Sequence, residues 1–187
     1  MKKISSNRPA IIKRFLLILL LLLSVKSTIS CNGNKAKNKQ NHFKVLIGLI
    51  AYQDGNVQLF YKLNADDRYC EKYSLKQSVK QNDSLQTLSF ELPSGIRPKN
   101  LRVDLGEKEN DSIRVESMRL CYKNLEINGS RGVYKSWFTF NQNMILGKDS
   151  LTFHLKKVAG FFDPQLNGNQ KLNSKLSKLF PPDVNEF

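Results

Sequence analysis

The chain is poor in the residues that catalysis and metal binding use. Its 187 residues include two histidines, His42 and His154, three cysteines and one tryptophan. No CxxC or HxxxH spacing occurs, which excludes an ordinary structural zinc site, and no residue set calls for a cofactor. GxSxG, HExxH and a glycine-rich phosphate loop are also missing. Those absences remove the hydrolase elbow, the zincin helix and the nucleotide loop. Paired carboxylates of the glycosidase kind stay open, because any of the 16 acids can meet another in space. The expectation is a noncatalytic protein of about one domain. Long apolar runs are scarce too. Phe15 to Val25 is uncharged and apolar, but a membrane-crossing helix needs roughly 20 such residues.

Charge of one sign is what the sequence has in excess. Lys and Arg number 30 against 16 Asp and Glu, a formal charge of +14. Lys2, Lys3, Arg8, Lys13, Arg14 and Lys26 surround the apolar run without an acid among them. That layout predicts a secretory signal peptide over residues 1–30, with a single-pass N-terminal span as the alternative. Ser27-Thr28-Ile29-Ser30-Cys31 resembles the lipobox of bacterial lipoproteins, which implies lipidation at Cys31 and anchoring to a membrane. The alternative is ordinary signal-peptidase cleavage between Ser30 and Cys31. Residues 31–42 then read as a tether, since Asn32 to His42 contains no large apolar side chain to bury. Surface-exported lipoproteins of Bacteroidota carry acids just after the cysteine. Lys35, Lys37 and Lys39 stand here instead, which predicts a periplasm-facing, membrane-anchored protein of the cell envelope. The remaining basic excess is spread along the chain and the protein is exported, so nucleic acid is not expected as a partner. Anionic phospholipid or lipopolysaccharide suits the charge better. With Cys31 acylated, Cys70 and Cys121 are an even pair that an oxidising compartment lets bridge; the alternative is two free thiols inside strands.

From Phe43 onward, short alternating runs broken by Gly, Asn, Asp, Ser and Pro predict strands. They cover Val45–Tyr52, Val57–Leu63, Tyr69–Val79, Leu85–Leu92, Leu101–Leu105, Ile113–Tyr122, Val133–Phe140 and Ser150–Lys157. Ile113 and Val115 alternate in one phase while Met118, Leu120 and Tyr122 alternate in the other, so a bulge is expected near Glu116-Ser117. This spacing predicts an all-β antiparallel sandwich, jelly-roll-like, over residues 43–165. In residues 166–187, Leu172, Leu176, Leu179 and Phe180 fall on one helix face before Pro181-Pro182, with Lys171, Lys175 and Lys178 on the others. That predicts a short C-terminal helix that covers one end of the sandwich, or alternatively touches acidic lipid head groups.

Asp54 to Tyr61 (DGNVQLFY), Phe90-Glu91-Leu92-Pro93, Leu101 to Asp104 (LRVD) and Phe161 to Pro164 (FFDP) resemble β-sandwich modules of envelope proteins and membrane glycosyltransferases in Bacteroidota. Such modules are similar in outline to galactose-binding-like and carbohydrate-binding jelly rolls. The resemblance implies a fold rather than a set of binding residues, so candidates come from the residues themselves.

Within the predicted strand Val133–Phe140, Trp137 alternates with Lys135 and Thr139, opposite Tyr134, Phe138 and Phe140. If the latter face the core, Trp137 lies outside and offers a stacking platform for a sugar ring, with Lys135 beside it. The alternative is that the indole packs beneath the C-terminal helix. Arg102 and Asp104 share one strand face, which suits a polar ligand or an intrasheet ion pair. Asp104, Glu107, Glu109 and Asp111 surround a loop with oxygen ligands of the calcium-binding kind, but it matches no defined calcium loop, a solvated acidic turn explains it better, and no metal is expected. The functional expectation is a binding module for envelope glycans or lipopolysaccharide-like ligands. The alternative is an assembly subunit that docks on an envelope membrane protein through a sheet edge or through the helix face at Leu176 and Leu179.

Overall fold

The computed structural model describes residues 42–180. The leader, Cys31, nearly all of the tether and residues 181–187 lie outside the described residues. The fold is an all-β sandwich of two packed antiparallel sheets with one short helix at its C-terminal end. One sheet runs in the order β4-β1-β6-β10-β9, formed by Asn82–Glu91, Lys44–Ala51, Ser112–Tyr122, Thr152–Leu155 and Met144–Leu146. β7, Leu125–Asn128, pairs with the far half of β6. The other sheet runs β3-β2-β5-β11-β8, formed by Ser74–Val79, Gly55–Lys62, Asn100–Leu105, Gln165–Gly168 and Phe138–Phe140.

Period-two alternation explains which side chains meet between the sheets. Val45, Ile47 and Leu49 of β1 face Val57, Leu59 and Tyr61 of β2 and Leu101, Val103 and Leu105 of β5 in one core, and all of them are buried. β6 is continuous for eleven residues but changes phase midway, with Ile113 and Val115 buried, then Met118, Leu120 and Tyr122. Its pairing with β1 slips there, as Gly48 pairs with Ser117 and Leu49 with Val115, which leaves Glu116 as the extra residue of a bulge. A Cβ at position 48 would meet Ser117 Oγ at 2.6 Å, so a larger residue there would require that hydroxyl to turn aside.

The helix α1, Gln170–Leu179, follows the expected pattern. Asn169 caps it, its side-chain oxygen accepting from Lys171 N and Leu172 N. Leu172, Leu176 and Leu179 are buried, and Phe180 packs its ring against Phe43 and Tyr122 at centroid distances of 5.5 and 4.7 Å.

Two segments expected as single strands begin as 3-10 turns. Glu71–Tyr73 precedes β3, and Val133–Trp137 precedes β8. In the second, three residues per turn place Tyr134 and Trp137 on the same side, so both point inward where a strand would have sent them to opposite faces. Both are fully buried. Tyr134 Oη donates to Val115 O at 3.2 Å. Gly129 makes space for the indole, since a Cβ there would lie 2.6 Å from Trp137 Cη2. Trp137 is therefore no outer platform: it packs in the core near α1. Strands β7, β9 and β11 are short and carry one or two inward apolar residues each, too few to register as alternation.

Candidate functional site

The expected site residues do not converge. Lys135 turns away from the buried indole, and its Nζ donates to the Ser150 carbonyl. Arg102 and Asp104 form a closed ion pair on the outer face of β5. Arg102 Nε donates to Asp104 Oδ1 and Nη2 to Oδ2, each at 2.8 Å. The guanidinium also lies over Phe60 at 4.1 Å and beside the Tyr69 ring at 5.2 Å. Only 19% of either side chain is exposed. Burial pushes the Asp104 carboxyl up to about 6 even though Arg102 favours its charged form, and burial likewise pushes Tyr69 up to about 12. The pair thus fastens the 63–73 connection over the sheet, and both Asp104 carboxylate oxygens are taken up by Arg102.

The acidic loop is also divided among separate partners. Asp104 belongs to Arg102, and Glu107 takes Lys76 and, at 2.8 Å, Asn56 Nδ2. Cys70 and Cys121 are free thiols, not a bridge. Cys70 stands exposed before the first 3-10 turn, whereas Cys121 is in β6 of the opposite sheet. Its thiol is raised by burial and by nearby Glu126.

The structure assembles a different constellation at the other end of β6. A cleft of about 490 Å³ opens where β1 ends, β6 begins and the β9–β10 connection turns. Ser112 and His154 are register partners between β6 and β10, and Ser112 Oγ lies 2.8 Å from His154 Nδ1. Asp111 is buried, and its Oδ1 accepts from Ser112 N at 2.6 Å. Burial raises its carboxyl above the ordinary value. On the opposite wall, Asp149 holds the turn together. Its Oδ1 accepts from Leu151 N and Thr152 N at 3.0 and 2.9 Å, and its Oδ2 from Thr152 Oγ1 at 2.6 Å, with Arg114 3.5 Å away. These hydrogen bonds keep its carboxyl well below the usual carboxylate range.

Tyr52, 40% exposed, sits at the rim together with Gln53, and Asn110, Gly147 and Lys148 complete the lining. One aromatic face, amides, hydroxyls, carboxylates and an imidazole thus meet in one opening. The mixture offers donors and acceptors without a dominant charge, and an aromatic surface to one side. Among the described residues, the His154 ring has no hydrogen bond other than that with Ser112. In a serine–histidine nucleophile system a third group fixes the histidine, and here the nearby Asp149 is committed to Thr152, Leu151 and Arg114. Sequence reasoning missed the cleft because its residues come from four separate stretches of chain. No advance signal marked it, because Tyr52 closes an apolar run and His154 takes the polar phase of its strand, as ordinary alternation places it.

Among the described residues, no group of three or more His, Cys, Asp or Glu is placed to hold a metal ion, and no helix is long and apolar enough to cross a membrane. Compared with known proteins, the chain matches no family model, no curated protein and no solved structure.

Proposed function

We propose that this chain is a noncatalytic, lipid-anchored binding module of the bacterial cell envelope that takes glycan-type ligands in the Tyr52–His154 cleft. The observation that carries the reading is the cleft's composition: an exposed Tyr52 ring beside Asp111, Asn110, Ser112 and His154. Sugar rings present apolar C–H faces and a fringe of hydroxyls, and this lining supplies a partner for each. The leader pattern and Cys31 support export and anchoring, and the basic tether supports a periplasm-facing position. The buried Trp137 has no part in this site.

The test is calorimetric titration of the full chain with a panel of bacterial glycans and lipopolysaccharide at two salt concentrations. Saccharide binding that persists at high salt and falls about tenfold or more in Y52A supports the reading. Binding that salt removes, or that Y52A leaves unchanged, sinks it.

One observation favours a second reading, an assembly subunit that docks on an envelope membrane protein. Phe140, Ile145 and Phe161 are 39, 46 and 77% exposed around the β8–β9 connection, where an edge strand of each sheet ends. Asn143 Nδ2 donates to Phe161 O at 2.8 Å and so holds that segment beside the connection. Exposed apolar side chains on edge strands suit a protein partner. Co-purification of one membrane protein with the wild type, lost in F140S/F161S, would favour this reading over the first.

A further inference from the structure

A second opening, about 470 Å³, lies between the Val133–Trp137 turn and α1, and it shares no residue with the Tyr52–His154 cleft. Lys171, Lys175 and Lys178 line one side, spaced i, i+4 and i+7 along α1, while Leu172, Leu176 and Leu179 point into the core. α1 contains no acid, and among the described residues none of the three lysines enters an ion pair. Lys175 Nζ instead rests over the Trp137 ring at 5.0 Å. The indole forms part of the wall, and its buried Nε1 has no hydrogen-bond partner. Val133, 55% exposed, stands on the rim. Cations without an ion-pair partner among the described residues and an exposed apolar rim thus meet in one groove.

We infer that this groove seats the protein on anionic phospholipid, its lysines on head-group phosphates and Val133 at the glycerol and acyl boundary. Cationic side chains near an anionic surface each strengthen attachment, and their alkyl stems lie along apolar surface while the ammonium reaches the phosphates. A bilayer surface fits better than one free phosphate. Three lysines over seven helix positions span roughly 10 Å of axis, more than a single phosphate covers and about the reach of neighbouring head groups. Seated this way, α1 would lie along the bilayer surface with the sandwich above it. The contact would act independently of any acyl anchor at Cys31.

Trp137 is the sole tryptophan, so its emission reports on this groove. The full chain is titrated with vesicles of phosphatidylcholine alone, with vesicles that also contain phosphatidylglycerol, and with inorganic phosphate. The variants K171Q/K175Q/K178Q and Y52A are treated identically. Leader and tether are common to all, so differences between variants belong to the groove. The anionic vesicles alone should change the emission, with affinity about 100-fold lower in the triple variant at low salt and unchanged in Y52A. If circular dichroism shows the triple variant unfolded, K171Q is read by itself, with about a fivefold loss expected. Equal affinity of the lysine variants for anionic vesicles, or an equal response to neutral vesicles, would overturn the inference. An equal response to inorganic phosphate at matched phosphate concentration would also overturn it, as a free-anion site.

Discussion

Ser112 and His154 face each other across the β6–β10 pairing, Oγ to Nδ1 at 2.8 Å, on the wall of the polar cleft. Each is a donor or acceptor that a ligand hydroxyl can share. S112A removes one hydrogen bond from this network, worth about 1 kcal/mol. Glycan affinity should fall about fivefold while the melting temperature stays within a few degrees, as read by calorimetry and thermal melts of the same samples. An unchanged affinity would place the ligand elsewhere.

Trp137 is buried beside α1 and has no hydrogen-bond partner for its Nε1. W137A should therefore act on stability, with a loss of about 3–5 kcal/mol in urea denaturation. W137F removes the orphan donor together with part of the volume and should be much milder. Neither variant, where folded, should change glycan affinity; a selective loss of binding in W137F would restore the indole as a sugar platform.

Asp104 titrates near 6 against an ordinary value of 3.8. Between those values the folded state holds more protons than the unfolded state, so this group makes folding more favourable as pH falls from 7 towards 4. That contribution is lost as pH rises through about 6. D104N should flatten this arm of the stability curve. Carboxyl NMR should place the titration near 6 in the wild type and higher in R102Q, because the guanidinium favours the charged form. A midpoint near 4 in both proteins would contradict the argument.

Glu116 is the extra residue that lets both halves of β6 bury their apolar side chains. Its deletion would send Met118, Leu120 and Tyr122 to solvent, so the deleted chain should fail to fold. E116A keeps the count and should change stability little, because the 2.6 Å hydrogen bond from Arg114 Nε that it removes is screened by solvent. Far-UV circular dichroism and denaturation of the two variants separate register from ion pairing.

Cys70 is exposed, while Cys121 is partly covered and its thiol is raised by burial. Iodoacetamide should alkylate Cys70 faster, as followed by peptide mass mapping. Denaturation midpoints with and without reductant should coincide. A midpoint that drops on reduction would indicate a bridge.

The bulge at Glu116 and the leucine face of α1 were legible because each is written in neighbouring residues. A phase change within one strand, or leucines at helical spacing ahead of Pro181-Pro182, requires no knowledge of the rest of the chain. Val133–Trp137 was not legible in this way. Its residues alternate well enough for a strand, and the room that Gly129 leaves for the Trp137 indole is evident only in the folded chain. The cleft was equally hidden, since Tyr52, Asp111, Asp149 and His154 have nothing in common until three strands converge.

What the sequence determined by itself is the sandwich class, the strands with strong alternation and the amphipathic helix, because apolar period acts over a few residues. Which sheet each strand joins, the burial of Trp137 and the meeting of Ser112 with His154 were decided only by tertiary structure. Burial, desolvation and hydrogen-bond partnership depend on residues dozens of positions apart, and no local pattern encodes them.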